Sequence, residues 1–269
     1  MANDPPSPQQ GLPRLLRMRP AVVVSNVTVV VAVAMLAVVL VDVYAVPVRP
    51  EWPLWTGLFN DRFIEWLQWF LLAATAITAG FVAGCLHQAN SDRVAAFLWL
   101  LTLGTGLLLI EDAGDVRHTL IPMLDLLTPE RAMGVTTSTL LTLAYFALLA
   151  SPMILALIRH FPDVWSFSAA RAYLLTGYGA YALAAGGQAV GGFFDFQRRL
   201  GRWLHEELPG SQLSVPDGYP PAIWHEWFVD AVLEESLEAI AAACLLALVL
   251  TLARERIVAR QDRLPETRS

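Results

Sequence analysis

The sequence predicts an all-α integral membrane protein, a bundle of six transmembrane helices, and three observations carry that expectation. Hydrophobic residues make up 56% of the 269, against roughly 45–50% in soluble domains. They are gathered into apolar runs too long for buried helices of a soluble domain. The connections are short as well: the longest, residues 195–227, is loop-sized, and both termini are short and polar.

The first helix is expected over 21–41. Arg14, Arg17 and Arg19 precede it like a signal-peptide flank, but its apolar part is longer than a signal core and no clear small-x-small site follows, so it reads as uncleaved. Further spans are expected at 63–87, 94–118, 133–160 and 169–194, and the last at 228–253. This last span cannot begin at Ala239, because Ala239 to Ala253 would give only about 22 Å of helix against a hydrocarbon core of about 30 Å. Glu234, Glu235 and Glu238 therefore fall inside a span. Ionisable groups there cost up to about 3 kcal/mol each and mark function by default.

Residues 1–20 are expected to be a disordered basic cytoplasmic tail, 195–227 an outer loop with an interfacial helix, and 254–269 a second basic tail. Arginines at both ends, the later ones being Arg254, Arg256, Arg260 and Arg263, place both termini in the cytoplasm of a multi-pass plasma (inner) membrane protein. An even helix count agrees. Arg93 and Arg159 fall inside on this topology, while Arg49, Arg117, Arg131, Arg198, Arg199 and Arg202 fall outside and weigh against it.

No lysine occurs anywhere in the chain, which excludes Schiff-base chemistry and a lysine-bearing phosphate loop. Cys85 and Cys244 have no Cys-x-x-Cys spacing, so neither a thiol redox motif nor a structural zinc site is expected. The net charge of -6 gives no reason to expect nucleic acid. His205-Glu206-Glu207-Leu208-Pro209 and His225-Glu226-Trp227-Phe228-Val229 both lack the last histidine of a His-Glu-x-x-His site, and Gly-x-Ser-x-Gly is absent. The expected partners are the lipid bilayer and an unidentified small molecule or ion, with a homo-oligomer left open.

Three spans bring acids to the outer side. The second starts with Glu65, with Gln68 and Leu72 on the same face; the third ends with Glu111, Asp112, Asp115 and His118. At 100° per residue Glu111, Asp115 and His118 fall within about 60° of one another if the helix continues that far, while Asp112 lies about 100° from Glu111. On the sixth span the glutamates cover an arc of about 100°, and Leu233, Leu237 and Ile240 on the other side suit lipid. So many carboxylates in a dry space cannot all be ionised unless protons or a cation compensate them. Oxygen ligands with one imidazole suit a divalent metal ion, with Glu111, Asp115, His118, Glu234, Glu235 and Glu238 as ligands and Glu65 and Glu234 as proton carriers.

Asp115-x-x-His118 resembles one Glu-x-x-His element of the di-iron carboxylate bundles, which carry two; here the sixth span offers Glu235-x-x-Glu238. Glu234-Glu235 is similar to the paired glutamate of CAAX-type intramembrane proteases, but Ala239 stands where that family has an arginine, so the similarity covers two residues. Three other readings compete. The acids can serve a proton- or cation-coupled transporter, or a structural network paired with Arg62, Arg117, Arg131 or the Arg198, Arg199 and Arg202 group. His87 and His160 at one face, with His118 and His205 or His225 at the other, suit two haems, although His87 and His160 lie beyond their apolar runs. Whether any reaction is catalysed is left open.

The remaining signals concern packing. Gly187 and Gly191, and Gly80 and Gly84, read as seams for close helix approach. Ser151-Pro152 should kink the fourth span. Trp52, Trp55, Trp66, Trp69, Trp203, Trp224 and Trp227 read as an outer aromatic belt, and 193–208 as an interfacial helix able to act as a lid.

Overall fold

The computed structural model describes residues 18–44, 53–59, 62–87, 93–125, 131–132, 135–194, 196–213 and 220–261. These form α1 (Pro20–Val38), continued by a π turn over Val39–Val43, then α2 (Leu54–Leu58), α3 (Phe63–His87), α4 (Arg93–Gly114) and α5 (Val116–Asp125). They are followed by α6 (Thr137–Trp165), α7 (Ser168–Phe194), α8 (Phe196–Arg202) with a π turn over Trp203–Glu207, and α9 (Pro221–Gln261). An antiparallel ladder pairs Arg131 with Thr136 and Ala132 with Val135. Apart from this ladder and short turns such as that over 208–213, the described residues are helical.

Five helices are long and apolar enough to cross a membrane among the described residues, namely those spanning Pro20–Val43, Leu54–His87, Arg93–Gly114, Leu140–Trp165 and Pro221–Arg256. The expected sixth, α7, has the length at 27 residues but not the apolarity. Arg171, Gln188, four glycines from Gly177 to Gly187 and three tyrosines dilute its alanines and leucines.

Two expected boundaries move for local reasons. The span drawn over 94–118 ends at Gly114, because Asp115 takes a left-handed backbone with φ 46°, a conformation that short polar side chains tolerate best after glycine. The span drawn over 133–160 becomes helical only at Thr137, since β-branched Val135 and Thr136 pair with Arg131–Ala132 instead. Inside α6, Pro152 lacks the N–H that would bond the Leu148 carbonyl, and Ser151 Oγ donates to that oxygen at 2.7 Å. This repair keeps the helix continuous through the proline.

The packing makes α9 central. In sequence of contact α3 packs on α4, α4 on α6, α6 on α7, α7 on α9 and α9 on α3, while α1 and α8 also pack on α9. Consequently α9 is buried all round from Ala241 to Ala253. The expected lipid-facing side survives only at Leu233; Leu237 and Ile240 are partly covered. With 41 residues α9 begins seven residues before Phe228, at Pro221, where proline's fixed φ suits the first helical turn. At its far end Arg254 Nη2 donates to the Met18 carbonyl at 2.6 Å, and Arg256 lies 5.0 Å over the Phe167 ring, so the start of α1 and the α6–α7 junction meet that end.

Close approaches occur at different glycines from those expected. A Cβ on Gly177 would sit 3.0 Å from Leu245 Cδ2, one on Gly104 would collide with Met153, and one on Gly201 with the His225 backbone. Gly84 and Gly187 have nothing within 4 Å, and Gly80 makes ordinary contact with Thr102. Gly191 lies outside the described side chains.

Candidate functional site

Helices α3, α4, α7 and α9 contribute polar side chains to one region, and α6 meets the neighbouring residue of α4. Gln68, 1% exposed in α3, is the link: its Nε2 donates to Asp112 Oδ2 of α4 at 2.7 Å and to Glu238 Oε2 of α9 at 2.8 Å. An amide nitrogen has two hydrogens, and both are used. Next to Asp112, Glu111 turns to α6 and accepts a hydrogen bond from the Tyr145 hydroxyl. Tyr181 of α7 lies beside Gln68 and within electrostatic reach of Glu238, Asp112 and Glu235.

The α9 glutamates divide their roles. Glu235 is within electrostatic reach of Glu238, Glu65, Asp112 and Asp230, and Glu65, Asp112, Glu235 and Glu238 are each partly buried. Glu234 lies within electrostatic reach of Glu238, Asp230 and Glu235. Three buried polar atoms in this region have no hydrogen-bond partner: Gln68 Oε1, the Tyr181 hydroxyl and Glu235 Oε2. A buried acceptor left unpaired costs about 1–3 kcal/mol, and a cation or a proton relieves it.

The site residues drawn from sequence do not all converge. Glu65, Glu234, Glu235 and Glu238 belong to this region. Glu111 is one residue out of phase and pairs with Tyr145. Asp115 sits at the helix break and is exposed; with α4 ended there, Glu111, Asp115 and His118 form no single stripe. The His118 side chain lies outside the described part. Among the described residues no three His, Cys, Asp or Glu side chains stand close enough to hold one ion as placed.

Gln68 appeared in the sequence only as a neighbour of Glu65, and Asp112 was set against Glu111 by angle. The Gly114-Asp115 pair was the available signal that the helix would stop. Tyr145 and Tyr181 gave no signal beyond ordinary membrane-helix composition, whereas Asp230, an acid inside the last expected span, carried the same signal as the glutamates.

Beside the site, α8 lies along the first turns of α9. Arg198 Nη2 pairs with Glu226 Oε2 at 2.8 Å, Gln197 Nε2 donates to Asp230 Oδ1 at 2.6 Å, and the His205 and His225 rings stand 4.4 Å apart. Segment 196–207 is thus docked on α9. The tryptophans also divide: Trp66 and Trp203 are exposed, but Trp55 and Trp224 are fully buried in an edge-on cluster with Trp227 and Phe228, at 5.2–5.6 Å between centroids. Asp42 sets this up, accepting the Leu54 and Trp55 amides at 2.7 and 2.8 Å and so capping α2 over the start of α9. Compared with protein-family models, with curated proteins and with solved structures, the chain finds no match.

Proposed function

We propose that this is a multi-pass plasma-membrane protein with six spans and cytoplasmic termini, whose carboxylate cluster binds a hard divalent cation beneath the outer face. The single observation that carries this reading is the pair of buried, unpartnered oxygens, Gln68 Oε1 and Glu235 Oε2, in a region shared by Glu65, Asp112 and Glu238. Oxygen-only donors favour Mg, Ca or Mn over softer metals. One or two carboxylates suffice for an ion that keeps part of its water, as magnesium does. If the centre is catalytic, the ion would polarise a substrate oxygen or activate water, with Glu65 and Glu234 moving protons.

Elemental analysis of detergent-purified protein tests this, with the Glu235→Gln, Glu238→Gln double variant beside it. Stoichiometric metal that is lost in the variant supports the proposal, and a metal-free wild type overturns it. Proton- or cation-coupled transport is the second reading, favoured by the neutral Gln68 amide that bridges Asp112 and Glu238 and so leaves their charge for mobile protons. A metal-free protein that drives pH-coupled cation flux in liposomes selects it. Metal-free, flux-inactive protein that the substitutions merely destabilise selects a structural network.

A further inference from the structure

Arginines knit together the end of the bundle that lies about 24 Å along α9 from Glu238. Arg254 reaches the start of α1 through the Met18 carbonyl, Arg256 lies 5.0 Å over Phe167 at the α6–α7 junction, and Arg93 at the start of α4 stands 3.9 Å from Asp163 of α6. The described side chains at this end include six arginines, Arg19, Arg93, Arg159, Arg171, Arg254 and Arg256, against two acids, Asp163 and Glu255. Asp163 is already engaged, with His160 at 3.7 Å besides Arg93. Positive charge is therefore in excess here among the described side chains. Arg171 is exposed but fixed: its Nε donates to the Trp165 carbonyl at 2.8 Å, and its guanidinium lies 5.1 Å over the Trp165 ring, on which Phe161 also stacks at 5.0 Å. One of the five N–H donors of the guanidinium is used in this way, and four remain to point outward. An apolar stripe leads up to it. Ile154, Ile158, Phe161 and Trp165 fall within about 60° of one another on α6, and the first three are exposed.

We propose that Arg171, with Arg256 beside it at the α6–α7 junction, binds the phosphate of one anionic phospholipid in the leaflet at this end, with an acyl chain lying along the Ile154, Ile158 and Phe161 stripe. A planar guanidinium offers a phosphate two parallel N–H donors, and aromatic rings suit the headgroup layer. A zwitterionic headgroup would bring an ammonium group into the same positive field, so the arginine excess favours a lipid with net negative charge, such as phosphatidylglycerol. The inference requires that the chain spans a membrane, and neither the cation centre nor the orientation enters it.

Native mass spectrometry of the full-length protein in neutral detergent, titrated with phosphatidylglycerol or phosphatidylcholine, counts bound lipid. The wild type should hold one phosphatidylglycerol at least about tenfold more tightly than phosphatidylcholine. Arg171→Gln should weaken this binding by at least about tenfold, and Arg171→Lys, which keeps the charge but not the planar donor edge, by about threefold or more. Arg159 is exposed at the same end but lies about 120° around α6 from Trp165, and Arg159→Gln should change the affinity less than about twofold. Equal binding of the two lipids overturns the proposal. So does an equal loss in Arg159→Gln and Arg171→Gln, which would mean diffuse charge attraction, or wild-type binding in Arg171→Lys. Displacement of phosphatidylglycerol by millimolar inorganic phosphate would make the occupant a soluble anion and overturn the lipid. If Arg171→Gln does not fold, Arg171→Lys and Arg159→Gln carry the comparison. Metal content is a separate result: selective lipid binding by a metal-free protein supports this site and removes the cation centre.

Discussion

Asp42 joins three parts of the chain through one side chain. It is 7% exposed, and its two oxygens take the two amides at the start of α2, whose Trp55 fills the cluster against α9. Asp42→Ala leaves both amides without acceptors and should destabilise the protein by about 2–4 kcal/mol. Asp42→Asn, which retains one acceptor oxygen, should lose about half of that. Thermal melting in detergent measures the difference, and equal losses would mean that packing rather than capping is at stake. The sequence left this role unread because Asp42 and Leu54 are twelve positions apart and α2 is only five residues long. The glutamates of α9 were legible because charge inside a long apolar run has few explanations. The choice of Asp112 over Glu111 as the Gln68 partner was not: neighbours on a helix lie 100° apart, and only the placement of α3 decides between them.

Helices were legible where composition is monotonous and less so where one residue redirects the chain. The apolar stretch through α3 lies within one unbroken helix, Phe63–His87, but Asp115 ended α4 and removed the stripe that periodicity draws through His118. Glycine seams misled for a related reason. Spacing identifies where two backbones can approach, whereas the approach itself depends on which neighbour arrives. The contrast between Gly201 and Gly187 makes this measurable. A methyl at Gly201 meets the His225 carbonyl, part of a backbone that cannot move aside, so Gly201→Ala should cost about 1–3 kcal/mol and loosen α8 from α9. Gly187 has open space, and Gly187→Ala should be neutral or stabilise by up to about 1 kcal/mol through helix propensity. Melting temperatures that fall equally in both variants would contradict this account of α8 docking.

At the scale of the whole molecule, the contact of Arg254 with the Met18 carbonyl constrains the number of crossings. The two residues lie near opposite ends of the chain's apolar succession, and on the proposed topology a pair in contact shares a face of the bilayer. The helices that meet the apolarity criterion number five, an odd count that would separate them. Adding α7 restores an even count. Its 27 residues give about 40 Å of helix, enough for a hydrocarbon core of about 30 Å. Its Gly177 lies against Leu245 of α9, and Tyr173, Tyr178 and Tyr181 are partly buried, so part of its polarity is turned to neighbouring helices. The α6–α7 junction should then lie on the side of the termini, in agreement with Arg256 over Phe167, and the segment after α8 on the opposite side. Single cysteines placed by Ser166→Cys and Gln212→Cys, in a chain with Cys85→Ser and Cys244→Ala, allow the test with a membrane-impermeant thiol reagent on sealed vesicles. Ser166→Cys should label only after the vesicles are opened when Gln212→Cys labels freely, or the converse in inverted vesicles. Labelling of both from one side would mean that α7 does not cross, and the cluster would then have water on one flank instead of a complete wall of helices.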